Sequence, residues 1–286
     1  MSKIPQTVHF VFGLREQDQP FHLLHYLAIE SCRQVLQPKM ISLYYQHLPY
    51  GVYWDMIRPR LSLVKIDPVR EVEQANYNET LVPEQYRYAH HADFIRLDAL
   101  IEHGGIYADI DTLFLRPIPE ALFGYDFVIG REAQMPDEIT GEMRSSLCNA
   151  LMMAAPGSIF AREWRKRMAG ALNGTWSNHS CFLASDLANE QPAWVHIEPK
   201  QSFMGIPFTP AGLTALLEGG ELDLEDAYSV HLWQHVWWEE ERRDFSRCHA
   251  GELTLEFLSE NDTPLCQLVR PFLPSIDLSS LGGLPV

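Results

Sequence analysis

In the N-terminal part of the chain, short apolar runs alternate with stretches whose apolar residues return at helical spacing. Val8–Phe12 is a mostly apolar run closed by Gly13, which predicts a buried strand. From Phe21 to Leu36 the apolar positions Leu24, Leu27, Ala28 and Val35 follow a helical period that stops before Pro38. Met40–Tyr45 and Leu61–Ile66 predict two further strands. Strands separated by helices predict an α/β layered domain with a largely parallel sheet. Such sheets take ligands outside the carboxyl ends of their strands, so a ligand is expected near Phe12 and Gly13.

Pro83 opens a long helical stretch with Ala92, Ile95, Leu97, Leu100 and Ile101 on its apolar turns, and Gly104-Gly105 ends it. Ile106–Leu115 then reads as one strand, terminated by Pro117 and Pro119. Later strands are expected at Phe127–Ile129, Ala150–Ala154, Trp194–Ile197 and Tyr228–Leu232, with helices at Ile159–Ala171, Cys181–Ala188 and Leu213–Glu218. Beyond residue 250 the pattern weakens and assigns no element. The expected organisation is one domain over residues 1–250, with 251–286 a C-terminal extension packed on it.

Composition narrows the function. A chain of 286 residues that is 46% hydrophobic and 21% charged can bury a sizeable core. Its formal net charge of −16 repels phosphate backbones, which argues against nucleic acid as a partner. An anionic small substrate would need a metal or locally placed cations. Cys32, Cys148, Cys181, Cys248 and Cys266 are odd in number and never spaced Cys-x-x-Cys, so neither a disulfide framework nor a zinc site is expected. The N-terminus lacks a basic segment followed by an apolar run, and no stretch is long and apolar enough to span a bilayer. A cytoplasmic protein is expected, with peripheral membrane contact left open.

The chemistry concentrates between His91 and Asp111, which read His-Ala-Asp-Phe-Ile-Arg-Leu-Asp-Ala-Leu-Ile-Glu-His-Gly-Gly-Ile-Tyr-Ala-Asp-Ile-Asp. On a continuous strand Asp109 and Asp111 share one face while Ile110 turns to the core. Two carboxylates so close repel unless a cation neutralises them, and hard oxygen ligands suit Mn²⁺ or Mg²⁺. Asp93 and Arg96 share a face of the preceding helix, and the Gly-Gly turn folds that helix back so the four groups converge. A bare Asp-x-Asp arises about once by chance in so acidic a chain and is then a solvated strand end. The ordered set is far more distinctive.

That set resembles the DXD-containing sugar-binding region of family 32-type glycosyltransferases, which include bacterial capsule and lipopolysaccharide sugar transferases and yeast-type mannosyltransferases. The same order is found in the clostridial glucosylating toxins. Close matching runs from about Tyr88 to Pro117, with weaker matches at Ile4–Gly13, Asn149–Gly157 and Tyr228–Trp237. The resemblance implies a GT-A fold with a smaller acceptor-side portion, a divalent metal, and transfer from a nucleotide-sugar to a glycan or lipid-linked glycan with retention of configuration. It implies Asp109 and Asp111 as the catalytic, metal-binding carboxylates, with Asp93, Arg96, Tyr107 and Asn149 as donor-binding residues. Phe12 stands where the family places a Trp, in Val11-Phe12-Gly13, and would stack on the base, a UDP-sugar being favoured over a GDP-sugar. The family's Gly-Pro stretch on the acceptor side is not recognisable near Ser180–Leu183.

Each residue also has a plainer reading. Arg96 could pair only with Asp93, Tyr107 could be structural, and Phe12 could be core. His90 and His91 read as packing or surface residues. Trp233, Trp237 and Trp238 could line a sugar site or fill the core, and Glu239–Glu241 reads as a solvated run balanced by Arg242 and Arg243. His231, in the apolar run Tyr-Ser-Val-His-Leu-Trp, could be a core histidine. It also resembles the His-x-Trp ending of the family and could add an imidazole to the metal. Two rival functions remain: a haloacid dehalogenase-like phosphohydrolase, disfavoured because Leu113 holds the fifth position of its motif, and a non-catalytic nucleotide-sugar or glycan-binding protein.

Overall fold

The computed structural model describes residues 2–68, 84–242 and 244–275, so Pro83 and Arg243 lie outside the described residues. The strands are β1 (Thr7–Val11), β2 (Met40–Tyr45), β3 (Ser62–Lys65), β4 (Gly105–Ala108), β5 (Thr112–Phe114), β6 (Phe127–Arg131), β7 (Met135–Pro136), β8 (Met143–Arg144), β9 (Leu147–Ala154), β10 (His196–Glu198) and β11 (Ser229–His231). Seven of them form one sheet in the order β10-β6-β9-β4-β1-β2-β3. All neighbours run parallel except β9, which is antiparallel to both β4 and β6. The result is a helix-flanked, mainly parallel sheet, the α/β architecture that the alternation of strands and helices predicts. From β1 the chain builds outward to β2 and β3, then returns to add β4 on the other side. The switch point between β1 and β4 opens a crevice at their carboxyl ends, beside Phe12 and Asp109.

Alternation along the strands sorts side chains into two apolar layers. Phe10, Ile106 and Met153 face one layer; Val11, Tyr107 and Met152 face the other. The first layer also takes the Leu23–Ser31 helix, all nine residues of which are buried, as expected of a helix covered on every side. The second is closed by the Glu84–His103 and Ile159–Ala171 helices through Phe94, Leu97, Phe160 and Trp164. Among the described residues no helix is long and apolar enough to cross a membrane.

Several expected elements change form. The single strand Ile106–Leu115 is broken: β4 ends at Ala108, residues 109–111 turn, and the chain leaves the main sheet as β5 to pair with β11. The N–H of Asp109 donates to Ala150 O of β9 (2.7 Å) and that of Thr112 donates to Asp109 O (3.0 Å), which closes the turn. Asp109 and Asp111 therefore do not share a strand face; the turn brings them together. The first predicted helix ends as a π-helical turn, Cys32–Leu36, with Gln37 at φ 47°. The expected Cys181–Ala188 helix is a π turn, Asn178–Phe182, followed by Leu183–Glu190. Past residue 250 two short helices appear, Leu255–Glu260 and Pro264–Val269, capped by the Thr254 and Thr263 hydroxyls. Leu258, Leu265 and Val269 pack into the same layer as Phe10 and Leu24.

Two histidines fasten the stretch from Gln234 to Ala250 to the Leu23–Ser31 helix. His22 caps the helix by accepting from Leu24 N (3.1 Å) and donates through Nε2 to Ala250 O (3.1 Å). His25 stacks on Trp238 (5.0 Å, 11°) and donates through Nε2 to Gln234 Oε1 (3.1 Å). Burial holds both neutral, lowering His22 to about 4 and His25 to about 3. The unfolded chain, with histidines near 6.5, then binds more protons below that pH, so stability is full above 6.5 and lost as pH falls toward 4. The loss at pH 4 is on the order of a few kcal/mol per histidine. Urea denaturation from pH 7 to 4.5 is expected to show it, with a shallower slope in His25→Gln; equal slopes would refute the assignment.

Candidate active site

At the switch point lies a cleft of about 1900 Å³ whose lining includes Phe12, Asp93, Arg96, Asp109, Asp111, Asn149 and His231. Gly104-Gly105, at φ +63° and +102°, join the Glu84–His103 helix to β4. A Cβ on Gly104 would lie 2.6 Å from Pro156 Cδ, and one on Gly105 would lie 2.6 Å from the Thr7 carbonyl. Glycine is required for both the backbone conformation and the close approach of the Glu84–His103 helix to β1 and β9.

Arg96 is buried at the centre. Its Nη2 lies 3.3 Å from Asp93 Oδ1 and 3.3 Å from Asp109 Oδ1, and Nη1 donates to Asn149 O (2.9 Å). The guanidinium sits over the Tyr107 ring at 4.6 Å. Burial opposes this charge, but Asp109, Tyr107 and Asp93 hold the proton far above the ordinary range. Arg96 thus bridges two carboxylates rather than pairing only with Asp93. Asp93 accepts from Asn149 Nδ2 (2.7 Å) and from His179 Nε2 (2.9 Å). Burial would raise its carboxyl, yet Arg96 and His179 bring it below the ordinary carboxylate value. Asn149 reaches this position because β9 bulges: Ile129 pairs with Met152 but Gly130 pairs with Cys148.

The second group surrounds the turn. Tyr107 donates to Asp109 Oδ1 (2.6 Å), and its hydroxyl is otherwise enclosed, since the residue is 1% exposed. Asp111 accepts from His231 Nε2 at Oδ1 (3.0 Å) and from the Gln234 N–H at Oδ2 (2.9 Å). His231 Nε2 is also 3.9 Å from Asp109 Oδ2. Asp109, Asp111 and His231 each offer a ligand atom within 4.8 Å of the others, so together they could hold a metal ion. Their protons divide unevenly. Burial raises Asp109, Arg96 opposing and Asp111 adding to it, whereas at Asp111 the burial effect is outweighed by His231 and the Gln234 N–H. β11 delivers His231 by pairing it with Thr112, next to Asp111. Trp233, at φ 52°, then turns the chain so that the Gln234 N–H faces Asp111.

Phe12 lies at the end of β1, half-buried, against Phe21 (5.1 Å) and His25 (4.8 Å), with part of its surface on the cleft. His90 and His91 are buried below. Trp237 is core, Trp233 is buried beside His231, and Trp238 reaches the cleft edge. The sequence reading missed His179 and Gln234. His179 sits in a π turn within a polar stretch, with no motif around it. Gln234 acts on Asp111 through its backbone N–H, which no side-chain pattern reveals.

Residues 37–130 match the family profile described as a glycosyltransferase sugar-binding region containing a DXD motif. Over 279 residues the chain is 29% identical to Glucan organizing enzyme 1 of Cryptococcus neoformans var. grubii serotype A (strain H99), covering 94% of this chain and 71% of that protein. Among solved structures, the galactosyltransferase LgtC in complex with donor and acceptor sugar analogs is similar at a TM-score of 0.48 and 12% identity, covering 97% of this chain and 100% of that one. The apo form of the glycosyltransferase GlyE of Streptococcus pneumoniae TIGR4 gives a TM-score of 0.47 at 12% identity, covering 97% of this chain and 62% of that one.

Removing Arg96 leaves the buried Asp93 and the partly buried Asp109 without their cation. Arg96→Ala is expected to destabilise the protein by about 3–5 kcal/mol in urea unfolding, and Arg96→Lys by less. A change below about 1 kcal/mol for the alanine variant would show that the network does not hold the site together.

Proposed function

We propose that this DXD glycosyltransferase takes a sugar from a nucleotide-sugar, a UDP-sugar in preference to a GDP-sugar, and passes it to a glycan or lipid-linked glycan with retention of configuration. The carrying observation is the convergence of Asp109, Asp111 and His231 from two distant parts of the chain. Two carboxylates and an imidazole fit Mn²⁺ in particular, which accepts nitrogen more readily than Mg²⁺ does. Once bound by these three residues, the ion would act as a Lewis acid on the departing diphosphate.

The chain's own groups set the rest. An acidic protein repels an anionic donor, so local positive charge is needed, yet Arg96 is already shared between Asp93 and Asp109. That supports a metal ion as the group facing the diphosphate. Asn149, held by Asp93, is placed to face the donor sugar, and Tyr107 keeps Asp109 oriented by its hydrogen bond. Phe12 offers an aromatic surface for the base at the end of β1. The name of the fungal relative supports a glucan as the acceptor class. Helices from residues 251–275 share the core of the main sheet, which supports one domain with a C-terminal extension. Five unpaired, buried cysteines support the cytoplasm as its compartment.

Hydrolysis of a panel of UDP- and GDP-sugars, with and without Mn²⁺, tests the metal. Asp111→Asn and EDTA treatment should each abolish turnover; full activity in a metal-free preparation would overturn the mechanism.

Calorimetry with UDP and GDP in Mn²⁺ tests the donor. UDP should bind more tightly, and Phe12→Ala should weaken it by about 1 kcal/mol or more if the ring stacks on the base. Tighter binding of GDP would reverse the choice.

A further inference from the structure

The cleft is larger than the ~300–1,000 Å³ that usually encloses one small ligand, so a second substrate fits beside the donor. On the side of His231 remote in sequence from Phe12, its wall is aromatic. The His235 ring is stacked between Trp176 (5.5 Å, 19°) and Phe208 (5.8 Å, 18°), so the three rings form one aromatic stack that lines the cleft. Phe208 is backed by Trp233 (5.0 Å), whose ring also touches His231 (4.1 Å). The stack therefore begins one ring away from His231. It is also anchored: the Trp176 N–H donates to Glu138 Oε1 (2.8 Å), and Arg144 of the β7–β8 hairpin binds Asp137, Asn178 and Asp186.

We propose that Trp176, His235 and Phe208 form the acceptor subsite and that the acceptor is an uncharged oligosaccharide. The proposal rests on the donor lying by Phe12 and the Asp109–Asp111–His231 group. The apolar surface of an aromatic stack suits the CH groups of sugar rings, as in other pockets built from aromatic walls with a few polar groups. Carboxylates are prominent among those polar groups: Glu132, Glu138 and residues 239–241 line the cleft and outnumber its cations, Arg15, Arg96 and Arg242. Carboxylates accept hydrogen bonds from sugar hydroxyls, whereas uronate or phosphate groups on an acceptor would meet like charge.

Calorimetry on the full chain tests this, with neutral glucose and mannose hexasaccharides, hexagalacturonate, and UDP with Mn²⁺ as separate titrants. At least one neutral hexasaccharide should bind, with hexagalacturonate at least tenfold weaker. Trp176→Ala should weaken the neutral ligand at least tenfold, and His235→Ala about fivefold. His235 is exposed, so its replacement keeps the test sound should Trp176→Ala fail to fold. Hexagalacturonate binding as tightly as the neutral chains, or wild-type saccharide affinity in His235→Ala, overturns the proposal. Nucleotide binding without any saccharide binding sinks the subsite and leaves the donor reading standing. Saccharide binding without nucleotide binding keeps the subsite and sinks the donor reading.

Discussion

The constraint on which the structure turns is the buried positive charge of Arg96. An uncompensated cation at that depth costs several kcal/mol, so the fold is confined to arrangements that supply its partners. One carboxylate comes from the same helix, one from the turn after β4, and a carbonyl from the bulge in β9. Three elements thereby receive fixed relative positions from one side chain. The glycine pair between helix and strand permits the approach, and Tyr107 covers the guanidinium while orienting Asp109.

A second constraint follows from the first. With Asp109 placed by Arg96 and Tyr107, Asp111 emerges on the far side of a tight turn and needs its own compensation. It is provided by a donor pair, an imidazole and a backbone N–H, from a segment that joins the main sheet nowhere. The two-stranded ribbon β5–β11 exists outside the seven-stranded sheet and aligns His231 beside Asp111. The two carboxylates consequently sit in unlike surroundings, one sharing a guanidinium and the other facing an imidazole.

Much of this was legible in the sequence, and the exceptions have physical causes. β1, β2 and the Ile159–Ala171 helix follow from hydrophobic period alone, because buried strands and amphipathic helices advertise their faces. The Asp93, Arg96 and Asp109 cluster follows from helix spacing and a glycine turn. The break at residues 109–111 does not, because Ile110 and the apolar residues on either side keep a strand's alternation while the hydrogen bond from Asp109 to Ala150 is a tertiary event. The π turns likewise carry no local signal. The C-terminal helices did carry one, Thr254 and Thr263 as caps, but each spans only six residues, too few to show a period. His179 was hidden because a lone histidine gains meaning only from what it is folded against, here Asp93.

The ribbon has a further consequence for how the protein comes into being. Asp111 and His231 are separated by 120 positions. Chains are made from the N-terminus, and contacts of such separation close late. A growing chain that has reached β9 already contains Arg96, Asp93, Asp109 and Asn149, but its Asp111 lacks the imidazole. The triad is completed once β11 has been synthesised and docked. The order of synthesis thus separates a scaffold stage from a site-completion stage, and a chain stalled between them would carry the Arg96 cluster without the complete Asp109–Asp111–His231 group.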